Sequence, residues 1–144
     1  MKVFDKHIEN GAQVTRIDGM FPIFLVENLM DDFVIKDFVI SHGWGNGYVG
    51  IPSWHPYYKM DYNEIPIDCH CGLTWSSLDE DENLWVIGFD TSHSDDNKKN
   101  CSKKFVKENC LHIIDQCMMV KEAQRILKVN KLNNITDGRT TRSV

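Results

Sequence analysis

Along the first hundred positions apolar residues come in short runs and alternations; after Asn100 they recur every three or four residues. The first pattern predicts strands and the second a helix. In MFPIFLVEN a continuous apolar run follows Pro22, which marks an edge strand or the beginning of a strand. DFVIKDFVIS repeats aromatic and β-branched residues, fitting a strand, with a short helix as the alternative. In GWGNGYVGIPSW the Asn46-Gly47 pair is a turn signal, and YVGIP is the strand leaving it. IPIDCHCGLTWSS alternates Ile65, Ile67, Cys69 and Cys71 against Pro66, Asp68, His70 and Gly72, the period of a strand. LDEDEN then reads as a polar turn that joins this strand in a hairpin to NLWVIGFD.

Beyond Asn100, Ser102 is placed to N-cap a helix whose apolar stripe runs through Val106, Cys110, Ile113, Ile114, Cys117 and Met118. Apolar positions continue to Leu132 with no Gly or Pro before Gly138. Either two helices follow each other or one runs for about 30 residues, roughly 45 Å. A helix of that length overhangs a domain this small, and its far end calls for a second subunit. The fold class is therefore α+β: an antiparallel β-sheet in the N-terminal two thirds, then a C-terminal helix or helices. Residues 1–132 are expected to form a single domain and 133–144 a flexible tail.

Composition narrows the setting. At 144 residues the chain suits one core. No apolar run approaches the roughly 20 residues of a membrane span, and MKVFDKHIENGAQ lacks the apolar stretch of a secretory signal. Five cysteines, an odd number, are then expected as reduced thiols in a cytosol rather than as a disulfide framework. The net charge of −5 is unevenly spread. Met60 to Asn97 holds ten acidic residues and no Lys or Arg, whereas Lys98 to Val144 holds eleven basic and four acidic residues. Such a segment can be a lysine-faced helix in solvent or a source of cations for an anionic ligand. Overall acidity argues against nucleic acid as a partner.

The candidate chemistry divides three ways. His70 and His93 follow Asp68 and Asp90 on two segments expected to pair as strands, and an imidazole oriented by a carboxylate suits a general base or a metal ligand. With Asp95 and Asp96 they compose a metal-dependent phosphodiesterase or hydrolase, although no tight ligand spacing such as His-Glu-x-x-His occurs. Thiol catalysis is disfavoured, because Cys110 and Cys117 lie on the apolar stripe and Cys69 and Cys71 on an alternating face. The binding alternative uses Trp44, Tyr48, Trp54, His55, Tyr57, Tyr58 and Tyr62, rings interleaved with Gly and Pro that can stack on a purine. Phe89 and Asp90 extend that set, and Asn97 offers both donor and acceptor to a base edge. Lys107, Lys121 and Arg125 could neutralise phosphates, the last two lying four apart on one helical face.

Three stretches, HGWGNGYVGIP…HPYY, IDCHCGLTWS and WVIGFDTSHSDD, resemble a group of small phage and prophage proteins. The pattern of that group is GYV-x-(I/V)-P…HP, then V-H-G-G-L-T-(Y/F)-S, then W-W-x-G-F-D-x-x-H-x-x-D. Gly47 to Pro52, His55-Pro56, Cys69 to Ser76 and Trp85 to Asp96 match it, roughly the middle third of the chain. Cys71 departs from the pattern's first glycine, Val86 from its second tryptophan, and Thr91-Ser92 from a Cys-Ala pair. Through this group the chain resembles the Thoeris anti-defence sponges, phage proteins that bind cyclic ADP-ribose isomers made by bacterial TIR enzymes and hold them without cleavage. The resemblance implies an antiparallel sheet with C-terminal helices and a homo-oligomer, a dimer or a hexamer built as a trimer of dimers. It further implies a small-molecule cyclic nucleotide held between subunits, no cofactor, and residence in the host cytoplasm. Charge-assisted contacts at about 1.5–3 kcal/mol each and stacking at about 1–3 kcal/mol per base suffice for tight sequestration without a nucleophile or metal.

Overall fold

A computed structural model describes residues 2–136. It opens with a 3-10 turn, Lys2–Phe4, and a short helix α1 (Asp5–Glu9), so the chain begins helical rather than as strand. Seven strands follow: β1 (Val14–Ile17), β2 (Ile23–Glu27), β3 (Phe33–Ile35), β4 (Phe38–Ile40), β5 (Gly45–Pro52), β6 (Trp75–Asp79) and β7 (Leu84–Phe89). Helix α2 (Lys103–Thr136) closes the described chain. Five strands make one antiparallel sheet in the order β1-β2-β5-β7-β6, an α+β fold as the hydrophobic pattern predicts.

Alternation along the strands gives each sheet face its own core. Ile23 and Leu25 of β2, Val49 and Ile51 of β5, and Ile87 and Phe89 of β7 face α2, which answers with Val106, Cys110, Ile113 and Cys117. These four helical residues recur at spacings of four, three and four, the seam of one helix face. Met118, expected on that stripe, lies off it and is exposed. On the opposite face Phe24, Val26, Tyr48 and Val86 are covered by Phe4, with Trp75 packed alongside.

Four local expectations are corrected. Asn46-Gly47 lies inside β5 and is no turn. A Cβ at Gly47 would stand 2.7 Å from both Cys110 Sγ and the Phe89 ring, so the glycine serves close packing against α2. DFVIKDFVIS is not one strand but two, β3 and β4, paired only with each other. Lys36 and Asp37 between them both adopt positive φ, 47° and 69°, as the two-residue turn of a tight hairpin requires. Residues 65–72 form no strand, although Ile65, Ile67 and Cys69 are buried on alternate positions as predicted. Their backbone is held by side chains instead: Gln116 accepts from the Asp68 N–H at 2.8 Å and donates to its carbonyl at 2.7 Å. His70 and His93 therefore do not sit on paired strands.

The polar turn after Asp79 does join β6 to β7 as a hairpin. Ser102 caps α2, its hydroxyl accepting from the Phe105 N–H at 3.2 Å. The helix is single, 34 residues or about 51 Å, and no described helix is long and apolar enough to cross a membrane. Residues 133–136, expected in the tail, continue α2; the rest of that tail lies outside the described residues.

Candidate functional site

Two neighbouring features sit at the end of the sheet where β7 runs out. The first is a cleft of about 240 Å³ on the face away from α2, lined by Asn46, Tyr48, Thr74, Trp75, Phe89 and Asp90. Its aromatic wall is Tyr48 against Trp75, edge to face at 5.3 Å between centroids. Asn46 also borders an adjoining cavity of about 480 Å³, which reaches α1 and the Asn28–Met30 segment. The Asn46 amide nitrogen donates to the Tyr48 hydroxyl at 3.3 Å. Its Oδ1 is buried and has no hydrogen-bond partner among the described residues. No Lys or Arg lines either space, and Glu27 and Asp90 are the carboxylates at their walls.

The second feature is a polar cluster centred on Asp96, at the mouth of α2. His70 Nε2 lies 2.9 Å from Asp96 Oδ1, and His93 Nδ1 lies 3.0 Å from Oδ2, which also accepts from the His93 backbone N–H. The Cys101 thiol donates to Oδ1 at 3.4 Å. Burial alone would push the Asp96 carboxyl up, but the hydrogen bonds from His70, His93 and Cys101 outweigh it and hold the group down at about 2. Burial, reinforced by that carboxylate, pushes the Cys101 thiol up to about 11. Phe105 packs edge-on against the His70 ring, and Asn109 accepts from the His70 N–H, fixing this residue to α2. His93 Nε2 stands 3.7 Å from Asp90 Oδ1, so Asp90 belongs both to the cluster's rim and to the cleft wall.

The predicted residues scatter around these features. Tyr48 and Asp90 both line the cleft. Phe89 contributes little ring surface, since its side chain points to the α2 face and is buried in the core. Trp44 is half-buried beneath Lys103, whose Nζ stands 5.3 Å from the ring centroid. His55 is structural: Nδ1 accepts from the Tyr57 N–H at 3.0 Å and Nε2 bonds the Cys117 carbonyl at 2.9 Å. Asn97 uses its side-chain oxygen to accept from the Lys99 and Asn100 N–H groups, which shapes the turn before α2. Lys107 is exposed, Lys121 sits 4.6 Å over the Trp54 ring, and Arg125 pairs with Glu122 at 2.5 Å. These three cations belong to the helix side of the sheet, so one copy does not unite them with Tyr48 and Asp90.

Asn46, Thr74 and Trp75 were missed as cleft residues. Trp75 and Tyr48 share a face because Trp75 and Tyr48 both pair with Gly88, a register that no local pattern reveals. Cys71 and Cys101 were missed as neighbours of the histidines, 31 residues apart from His70 in the latter case. No protein-family model matches this sequence, and comparison with curated proteins and with solved structures gives no match either.

Proposed function

We propose that the protein binds a small nucleotide-type molecule, a cyclic ADP-ribose isomer, and holds it without cleaving it. The observation that carries this reading is the buried, unpartnered Oδ1 of Asn46, a residue that borders both cavities beside the Tyr48 and Trp75 rings. A buried acceptor without a donor costs about 1–3 kcal/mol, and the amino group of an adenine would satisfy it while the base lies against the aromatic wall. Asp90 and Glu27 are acceptors suited to ribose hydroxyls.

Phosphates are unwelcome beside those two carboxylates, so their cations come from α2 of another copy. The protein is then a homo-oligomer, as the resemblance implies. The β3–β4 hairpin supports association: Phe33, Val34, Ile35, Phe38, Val39 and Ile40 are 37% to 72% exposed. Exposed apolar side chains gathered on one hairpin are the kind of surface that a protein partner covers.

Purified protein mixed with a TIR-generated cyclic ADP-ribose isomer, freed of unbound ligand and then heat-denatured, tests the reading. Intact signal should be released in amounts matching the occupied sites. A smaller product would mean cleavage, the hydrolase alternative built on His70, His93 and the nearby aspartates.

A further inference from the structure

We propose that His70, Cys71, His93, Asp96 and Cys101 form a binding site for zinc, a soft divalent cation. The proposal stands apart from the nucleotide reading and does not need it. Three separate stretches converge here: the turn after Cys69, the loop beyond β7, and the lead-in to α2.

Backbone geometry makes the first contact. Consecutive side chains of an extended chain point apart, but Cys71 adopts a φ of 53° and Gly72 one of 82°. The chain doubles back there, and the Cys71 thiol comes within 3.9 Å of its neighbour's Nε2. A left-handed backbone is uncommon for a residue with a Cβ, and here it aims a thiol at an imidazole.

The spacings suit one ion. His70 Nε2 lies 3.9 Å from Cys71 Sγ and 3.9 Å from Cys101 Sγ, while Cys101 Sγ lies 3.4 Å from Asp96 Oδ1. Zn–S bonds of about 2.3 Å and Zn–N bonds of about 2.0–2.1 Å, set tetrahedrally, place sulfur and nitrogen about 3.6 Å apart. Shifts of a few tenths of an ångström would bring both thiols to that distance from His70. The donor atoms fall into two overlapping sets, His70–Cys71–His93 and His70–Asp96–Cys101, each within 4.8 Å. One ion on His70, Cys71 and His93 takes its fourth ligand from the Asp96–Cys101 pair.

Ligand type selects the metal. Thiolate with imidazole favours zinc over calcium or magnesium, which prefer oxygen. Binding releases the proton of each ligating thiol, and His70 binds as neutral imidazole with its proton on Nδ1, so that Nε2 can donate its electron pair to the metal. The bound ion would tie the Cys71 turn and the loop beyond β7 to the start of α2, and so fix Asp90 at the rim of the cleft.

The test uses the full chain under a reductant. Elemental analysis should find close to one zinc per chain. Cobalt(II) added to metal-free protein should give a thiolate-to-metal absorption band. Cys71 is exposed, so Cys71→Ser should keep the fold by circular dichroism; it should lose most of that band and bind zinc at least 100-fold more weakly. His93→Ala should weaken zinc likewise. Wild-type protein that binds zinc only above micromolar levels, or variants that bind it as tightly as wild type, would overturn the site.

Discussion

Tyr48 and Phe89 lie one residue out of step across the β5–β7 ladder, and their rings leave the sheet from opposite faces. Tyr48 pairs with Gly88, and Phe89 pairs with Gly47. Each ring covers the glycine of the other strand. A Cβ on Gly88 would come within 2.2 Å of the Tyr48 ring, and one on Gly47 within 2.7 Å of the Phe89 ring. The pair therefore divides its labour: Phe89 anchors α2 to the sheet, and Tyr48 builds the cleft.

Gly88→Ala should displace Tyr48 from the cleft wall. Overpacking costs typically about 1–3 kcal/mol, so urea unfolding should show a lowered midpoint. In the same variant ligand affinity should fall, because the displaced ring is the one proposed to face the base. An unchanged midpoint would show that the Tyr48 ring is free to move aside.

Phe89→Ala and Trp75→Ala should fail in different assays. Removing a fully buried phenylalanine costs about 3–5 kcal/mol, so Phe89→Ala should be visible first in thermal unfolding. Trp75 is only half-buried, and Trp75→Ala should weaken binding of the cyclic ADP-ribose isomer tenfold or more, about 1.4 kcal/mol. Calorimetry with both variants checks the contrast, and equal losses of affinity and stability in the two would contradict it.

His55 sets a pH dependence with a definite sign. Burial, helped by the nearby Lys121 charge and opposed by the bond to the Cys117 carbonyl, holds this imidazole below its ordinary value of 6.5. Nδ1 accepts from the Tyr57 N–H, so protonation there breaks a buried hydrogen bond. The unfolded chain takes up the proton first as pH falls below 6.5. The His55 contribution is then complete above that value, and stability declines below it. Denaturation at pH 7.5 and 5.5 should show a smaller acid loss for His55→Gln than for wild type, on a lower baseline. Equal losses would assign the effect to other groups.

Association through β3 and β4 should depend on their exposed apolar residues. Wild-type protein should scatter light as a dimer or larger species in moderate salt. Phe38→Lys, at the most exposed of the six positions, should shift it towards monomer. A monomeric wild type at micromolar concentration would remove the basis for sites completed by a second copy.

Periodicity was a good guide wherever a strand or helix packs on one face. The helical seam from Val106 to Cys117 was legible from spacing, because burial repeats with the backbone period, whereas the β6–β7 hairpin was legible from its polar turn. It misled at Asn46-Gly47, where the dipeptide's turn preference yields to packing against Phe89 and Cys110. It misled again at residues 65–72, where alternating burial arises without strand neighbours. The site was legible only in part. Tyr48 and Asp90 announce themselves beside glycines, but Trp75 reaches the cleft through sheet register and Cys101 reaches His70 through tertiary approach. Neither leaves a local trace.

The hold of Gln116 on Asp68 gives the backbone an unusual reporter. In the sheet, amide protons are locked by neighbouring strands, and they exchange with solvent when those strands part. The amide protons of Asp68 and His70 are instead locked by the Gln116 and Asn109 side chains of α2. Their exchange with deuterium then times the lifting of the helix rather than the opening of the sheet. Two amides in a segment without strand partners would thus clock the docking of an element whose locking side chains lie 48 and 39 residues further along the chain.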